Sequence, residues 1–192
     1  MKFNEVINHG RMGEIDEPEF QTRLLDNSVH IEQISQDINL WSNIQNGKKW
    51  YFTIKDSEIT ASVLLDTLMI NNKNYYSINM IYVFEKFRNT KAIYWLIFAV
   101  KELLNLPVIA DGAIFKGGQN LIKSIITHKL MMVNILDKAT GTLEKLNQTN
   151  IGNDPDLCYV FESTQLGFGK QIFPEGMEYT WYPCFEDVKN EN

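Results

Sequence analysis

Three segments rich in aromatic and β-branched residues crowd into residues 50–84, separated by only two short polar stretches. They are WYFTI (50–54), ITASVLLDTLMI (59–70) and YYSINMIYVF (75–84), parted by KDSE and NNKN. Segments of that composition read as strands, and connections that short leave no room for a crossover. Successive strands must therefore run antiparallel, and the rest of the chain has to arrange itself around a three-stranded meander. In the third strand Ile78, Met80 and Tyr82 read as one face, and Ile81 and Val83 as the other. Apolar on both sides, that strand is expected at the centre of the sheet, covered above and below.

The flanking segments supply the covers. Residues 18–27 and 29–45 read as helices. Acidic residues surround Pro18, a helix-start pattern, and Ile31, Ile34, Ile38 and Trp41 recur at steps of three and four. Asn46-Gly47 marks the turn into the meander. Beyond the meander, Thr90 to Asn105 reads as a helix capped by Asn89 or Thr90. It is apolar nearly all round at Ala92–Val100, hence buried, and Pro107 ends it. VIADGAIF gives a short strand and a glycine turn. GGQNLIKSIITHKL gives an amphipathic helix with Leu121, Ile122, Ile125 and Ile126 inward, and the Gly117-Gly118 pair permits a sharp start to that helix or contacts a ligand. MMVNILD (131–137) and DLCYVFEST (156–164) then form a strand pair. The expected class is α/β of the mixed α+β kind, with a central, mostly antiparallel sheet flanked by helices. Residues 1–164 make the domain. Residues 165–192, aromatic and rich in Gly and Pro, make an irregular C-terminal extension packed on it.

Charge and apolar runs narrow the function classes. A net charge of −6 gives no global pull toward nucleic acid or an anionic membrane. The longest apolar run, AIYWLIFAV, is too short for a bilayer span, which needs about 20 residues. The first 20 residues lack the apolar core of a secretory signal. A soluble, cytoplasmic protein is expected. Cys158 and Cys184 share no short spacing and no Cys/His cluster suggests zinc, so no metal site is expected. Two free thiols and a single disulfide fastening the C-terminal segment both stay open.

The order helix, helix, three antiparallel strands, buried helix, strand, helix, strand, strand resembles the GNAT superfamily, the acetyl-CoA-dependent N-acetyltransferases. The likeness is sharpest over residues 48–137. There KKWYFTIKDSEITASVLLD resembles the family's second and third strands, and YYSINMIYVFEKFR its fourth strand and the approach to its signature turn. The segment from Asn105 to Asp137 resembles the fifth strand, the next helix and the sixth strand. The family's cofactor motif is Arg or Gln, two residues, Gly, one residue, then Gly or Ala. Its backbone N–H groups and the helix N-terminus hold the coenzyme A pyrophosphate between parting fourth and fifth strands. Arg88 matches the first position, whereas Lys91 and Ile93 stand where the small residues belong. Backbone donors survive both replacements. Lys91 can offer its ammonium to the phosphates, but Ile93 blocks them unless it turns into the core.

The resemblance implies acetyl-CoA as cofactor, bound by Val83, Arg88, Asn89, Thr90, Lys91, Ala92 and Ile93, with Asn120 in the neighbourhood of a cofactor-touching Asn. It also implies a carboxylate near the fourth or fifth strand that deprotonates an amine acceptor. Asp111 and Glu85 are the candidates. Asp111 reads more readily as an Asp-Gly turn residue capping local N–H groups, and Glu85 as an exposed strand-end carboxylate. The Tyr that many family members use to protonate the leaving thiolate is missing, its place falling near Ile125 or Ile126. His128 fits a helix C-terminus better than a catalytic role. Two functions follow. One is acetyl transfer to an amine on a small molecule or protein. The other is a catalytically inactive protein of the same fold, a structural subunit or a phage-like accessory protein that engages a partner. The aromatic cluster Tyr179, Trp181, Tyr182 and Phe185 offers a contact surface, and a meander edge allows a homo-oligomer.

Overall fold

The meander is present and extends further than its sequence signal. In the computed structural model the described residues are 17–35, 37–88, 90, 92–103, 107–112, 116–127, 131–146, 151–152 and 154–162. Helix α1 (Glu17–Leu25) leads into β1 (Val29–Ser35), β2 (Ile38–Gln45), β3 (Lys48–Lys55), β4 (Glu58–Ile70) and β5 (Lys73–Val83). A single 3-10 turn (Glu85–Phe87) then precedes α2 (Ala92–Leu103), β6 (Val108–Asp111) and α3 (Lys116–Thr127). The described chain ends with β7 (Met132–Asp137), β8 (Leu143–Lys145) and β9 (Leu157–Glu162).

Two-residue turns fix the register of β2 to β5. Asn46-Gly47, Asp56-Ser57 and Asn71-Asn72 all have positive φ at both positions, the backbone that matches the right-handed twist of adjoining strands. Asn and Asp tolerate that region better than most residues, which is why polar pairs occupy it. The described strands make one sheet in the order β1-β2-β3-β4-β5-β6-β9-β7-β8. Only β5 with β6 is parallel; the other pairs are antiparallel. The fold is thus a mixed α/β arrangement dominated by its sheet.

Residues 29–45, expected as a helix, are instead the hairpin β1–β2. Register shifts between His30 and Glu32 and between Gln33 and Ser35 break the period-two alternation in β1. The resulting spacing of Ile31, Ile34, Ile38 and Trp41 imitates a helical stripe. It is not one: Ile34 and Ile38 join the core beneath α2, Trp41 packs on the opposite side of the sheet, and Ile31 is exposed. The β-branched residues of the segment suit extended backbone.

The face assignment within β5 also needs correction. Leu65 pairs with Ile78 and Leu64 with Met80, so Asn79 is an extra residue, a β-bulge. The side-chain phase inverts there. Ile78, Ile81 and Val83 face one side, while Met80, Tyr82 and Phe84 face the other. The strand is nonetheless interior to the sheet and apolar on both sides, as the sequence suggests.

Helices α2 and α3 cover one face. Leu96, Ile97, Phe98, Ala99 and Val100 of α2 and Leu121, Ile122 and Ile125 of α3 pack there against residues of β1 to β7 and β9. The Tyr94 hydroxyl and Ser124 Oγ, 2.7 Å apart, tie the two helices together. On the opposite face, α1 docks Phe20 and Leu24 against Trp50, Phe52, Leu64, Tyr82 and Phe84. Further along that face Ile70, Tyr75, Ile109, Leu136, Cys158 and Val160 form a third cluster. Fully burying each large apolar side chain contributes about 1.5–3 kcal/mol, so both faces stabilise the sheet.

Candidate functional site

Strands β5 and β6 pair only over Tyr76–Val108, Ser77–Ile109 and Ile78–Ala110. Beyond Ile78, β5 runs on to Val83 without β6 beside it, whereas β6 stops at Asp111. The two strands fork at the bulged Asn79. A bulge terminates pairing and bends its strand, which gives the fork a local cause. At about 3.3 Å per residue, the unaccompanied stretch of β5 is roughly 17 Å long. The fork opens at the carboxyl ends of two parallel strands, where open α/β sheets hold ligands.

The turn after β5 stands at this mouth. Arg88 is half-buried, its Nε directed at the Val83 carbonyl at 3.4 Å and its Nη2 at the Tyr82 hydroxyl at 3.4 Å. Arg88 thus fastens the turn to the strand end. Thr90 caps α2: its Oγ1 accepts from the Ala92 N–H at 3.2 Å and donates to the Phe87 carbonyl at 2.6 Å. No acidic residue lies in the first turn of α2, so no carboxylate there offsets the positive end of its dipole. Ala92 and Ile93 are half-buried against the core beneath α2, and Val83 packs with them. Asn89 and Lys91 lie outside the described residues.

The two carboxylates expected from the sequence take different positions. Glu85 is exposed in the 3-10 turn at the end of β5. Asp111 ends β6 and is ion-paired to Lys138 Nζ at 2.8 Å. Lys138 also donates to the Pro155 carbonyl, which straps the end of β6 to the segment before β9. Gly112 follows at a crowded point. Its N–H donates to the Leu157 carbonyl at 2.8 Å, and a Cβ there would sit 2.0 Å from the Asp154 carbonyl oxygen. Only glycine fits.

Asn120 is half-buried in the first turns of α3, Ile125 is fully buried in the core, and Ile126 packs partly buried against it. Gly117 and Gly118 belong to the first turn of α3. Cys158 is a free, buried thiol, and burial, the largest influence on it, pushes its pKa up to about 11. His128, Cys184, the aromatic cluster and the extension 165–192 lie outside the described residues. Among the described residues no group of three or more His, Cys, Asp or Glu is placed to hold a metal ion, and no helix is long and apolar enough to cross a membrane.

Sequence reasoning passed over one polar group. On the face opposite α2, Asn79 Nδ2 donates to Asp66 Oδ2, and both side chains are half-buried. Ser77 is the register partner of Asp66 and shares its face. The visible signal was Asp66 interrupting an otherwise apolar strand at LLDTL. Its meaning depends on the bulge, which alternation alone hides. No protein-family model matches the chain, and no curated protein matches it in sequence.

Proposed function

We propose that this chain is a GNAT-like acyltransferase that moves an acetyl group from acetyl-CoA to an amine. The observation that carries the reading is the fork of β5 and β6 beside the capped N-terminus of α2. A thioester arm needs a slot between strands, and a pyrophosphate needs unneutralised helix N–H groups at the slot's mouth. Ile93 packed against the core supports the reading, because that side chain is then turned away from the anion's approach. In this reading Arg88, Thr90, Ala92 and the carbonyl end of Val83 border the cofactor, with Asn89, Lys91, Ile93 and Asn120 as its remaining neighbours. Asp111 and Glu85 supply carboxylates at the open ends of β6 and β5.

One observation favours a second reading, a catalytically inactive scaffold of the same fold. The helix after β6 carries buried Ile125 and partly buried Ile126, near which a thiolate-protonating Tyr would stand. The hairpin β1–β2 in place of a second leading helix also departs from the family's order.

Acetyl-CoA binding separates the two. Ligand present at about 100 times its Kd stabilises the folded chain by about 2.7 kcal/mol. For a chain of this size that raises Tm by roughly 5–10 °C. Arg88→Ala should shrink the shift, measured for each variant against its own ligand-free Tm. A wild-type chain whose Tm ignores millimolar acetyl-CoA overturns the acyltransferase reading in favour of the scaffold.

A further inference from the structure

We infer that Asp66, held by Asn79 at the closed end of the fork, is the base of a subsite for a protonated aliphatic amine. The inference rests on the acyltransferase reading and names its acceptor chemistry. Three observations carry it. Asp66, Ser77 and Ile109 lie in one lateral row across β4, β5 and β6, one residue before the last pair of the fork. Asp66 is therefore two strand spacings, about 10 Å, from β6 at the level where the strands part. Its carboxylate lies on the face that α2 and α3 leave to other elements, so an acceptor can come from the side opposite to those helices. Finally, the bulged Asn79 spends its amide donor on Asp66 Oδ2, which fixes the carboxylate in place.

A carboxylate so fixed still has lone pairs for an ammonium. Asp66 differs here from the other two candidates. Asp111 is committed to Lys138 at 2.8 Å, and Glu85 stands exposed beyond the end of β5. In the step, the ammonium docks on Asp66 and passes one proton through it to solvent, which frees the nitrogen lone pair. That pair forms the C–N bond at the thioester carbonyl and generates a tetrahedral oxyanion. The C–S bond then breaks, sulfur leaves with its electron pair, and the second N–H proton passes to the thiolate. The products are an N-acetylamine and coenzyme A.

The test compares benzylamine, protonated at neutral pH, with aniline, which is already neutral there. Asp66→Asn should keep the acetyl-CoA thermal shift, lose about 100-fold or more of benzylamine acetylation, and spare aniline within a few-fold. A folding defect lowers both amines together. Asn79→Ser is the second variant. It keeps the carboxylate but removes the amide that holds it in place, so benzylamine acetylation should fall while aniline acetylation stays within a few-fold. Equal loss of both amines, no loss of either, or a wild type that binds acetyl-CoA and acetylates neither amine overturns the inference alone. Absence of the acetyl-CoA shift in the wild type removes the acyltransferase reading, and the inference with it.

Discussion

Asn43 is almost fully buried on β2, and its Nδ2 donates to the carbonyls of Arg23, Leu24 and Asp26 at 2.9, 2.6 and 3.3 Å. These carbonyls close the C-terminal end of α1, where no further turn of helix is there to use them. Asn43→Ala should therefore cost about 1–3 kcal/mol, read as a lower urea midpoint. Asn43→Asp should cost more, because a carboxylate would face carbonyl oxygens in a dry site. Cys158 gives a pH-dependent prediction. Desolvation raises its pKa from 9.0 to about 11; Lys138 opposes the rise and Asp111 adds to it. Between those pH values the unfolded chain loses a proton that the folded chain retains. The contribution to stability is thus complete below about pH 9 and drains away as pH rises through about 11, up to about 3 kcal/mol in all. Urea midpoints at pH 8 and pH 10 should differ less in Cys158→Ala than in the wild type.

At the scale of elements, α1 is held largely by one ring. Phe20 meets Trp50 and Tyr82 edge-on at 5.3 and 5.5 Å and stacks with Phe84 at 5.7 Å. Phe20→Ala should cost about 3–5 kcal/mol, and hydrogen exchange should show α1 opening while β3 to β5 stay protected. The strands of this region were legible because three polar turns interrupt a composition that only a sheet accommodates. Helices α1, α2 and α3 were legible from Pro18, from the long apolar run and from the inward isoleucines. The β1–β2 hairpin was not, since two register irregularities turned alternation into a helix-like spacing. Nor was the bulge: Ile78, Met80 and Tyr82 keep step in sequence while changing faces in space. β8, with all three residues exposed, carries no apolar signal to find.

For the whole molecule, the candidate site is a product of topology, which explains why little of it could be read in advance. Of the turn residues, Thr90 was legible as a helix cap, and it caps α2. A parting of the strands was expected only through the resemblance, and its place was not legible, because the point where two strands part depends on register between segments some 30 residues apart. Asp66 acquires its place only through that register. If the fork receives a thioester arm, acetyl-CoA should also slow exchange of the amides from Asn79 to Val83, which lack β6 as a partner. Exchange measured with and without millimolar acetyl-CoA checks this, and unchanged rates there would point to binding elsewhere.

The position of β9 has a consequence for how the chain is made. Synthesis delivers β6 and β7 first, yet the strand that joins them, residues 157–162, is the last of the described strands to emerge. Until then a nascent chain carries two hydrogen-bonding edges with a gap one strand wide between them, an open invitation to pairing with a neighbour. Ribosomal stalling before Leu157 would leave the sheet in two halves, so the six residues of β9 act as the keystone of its assembly.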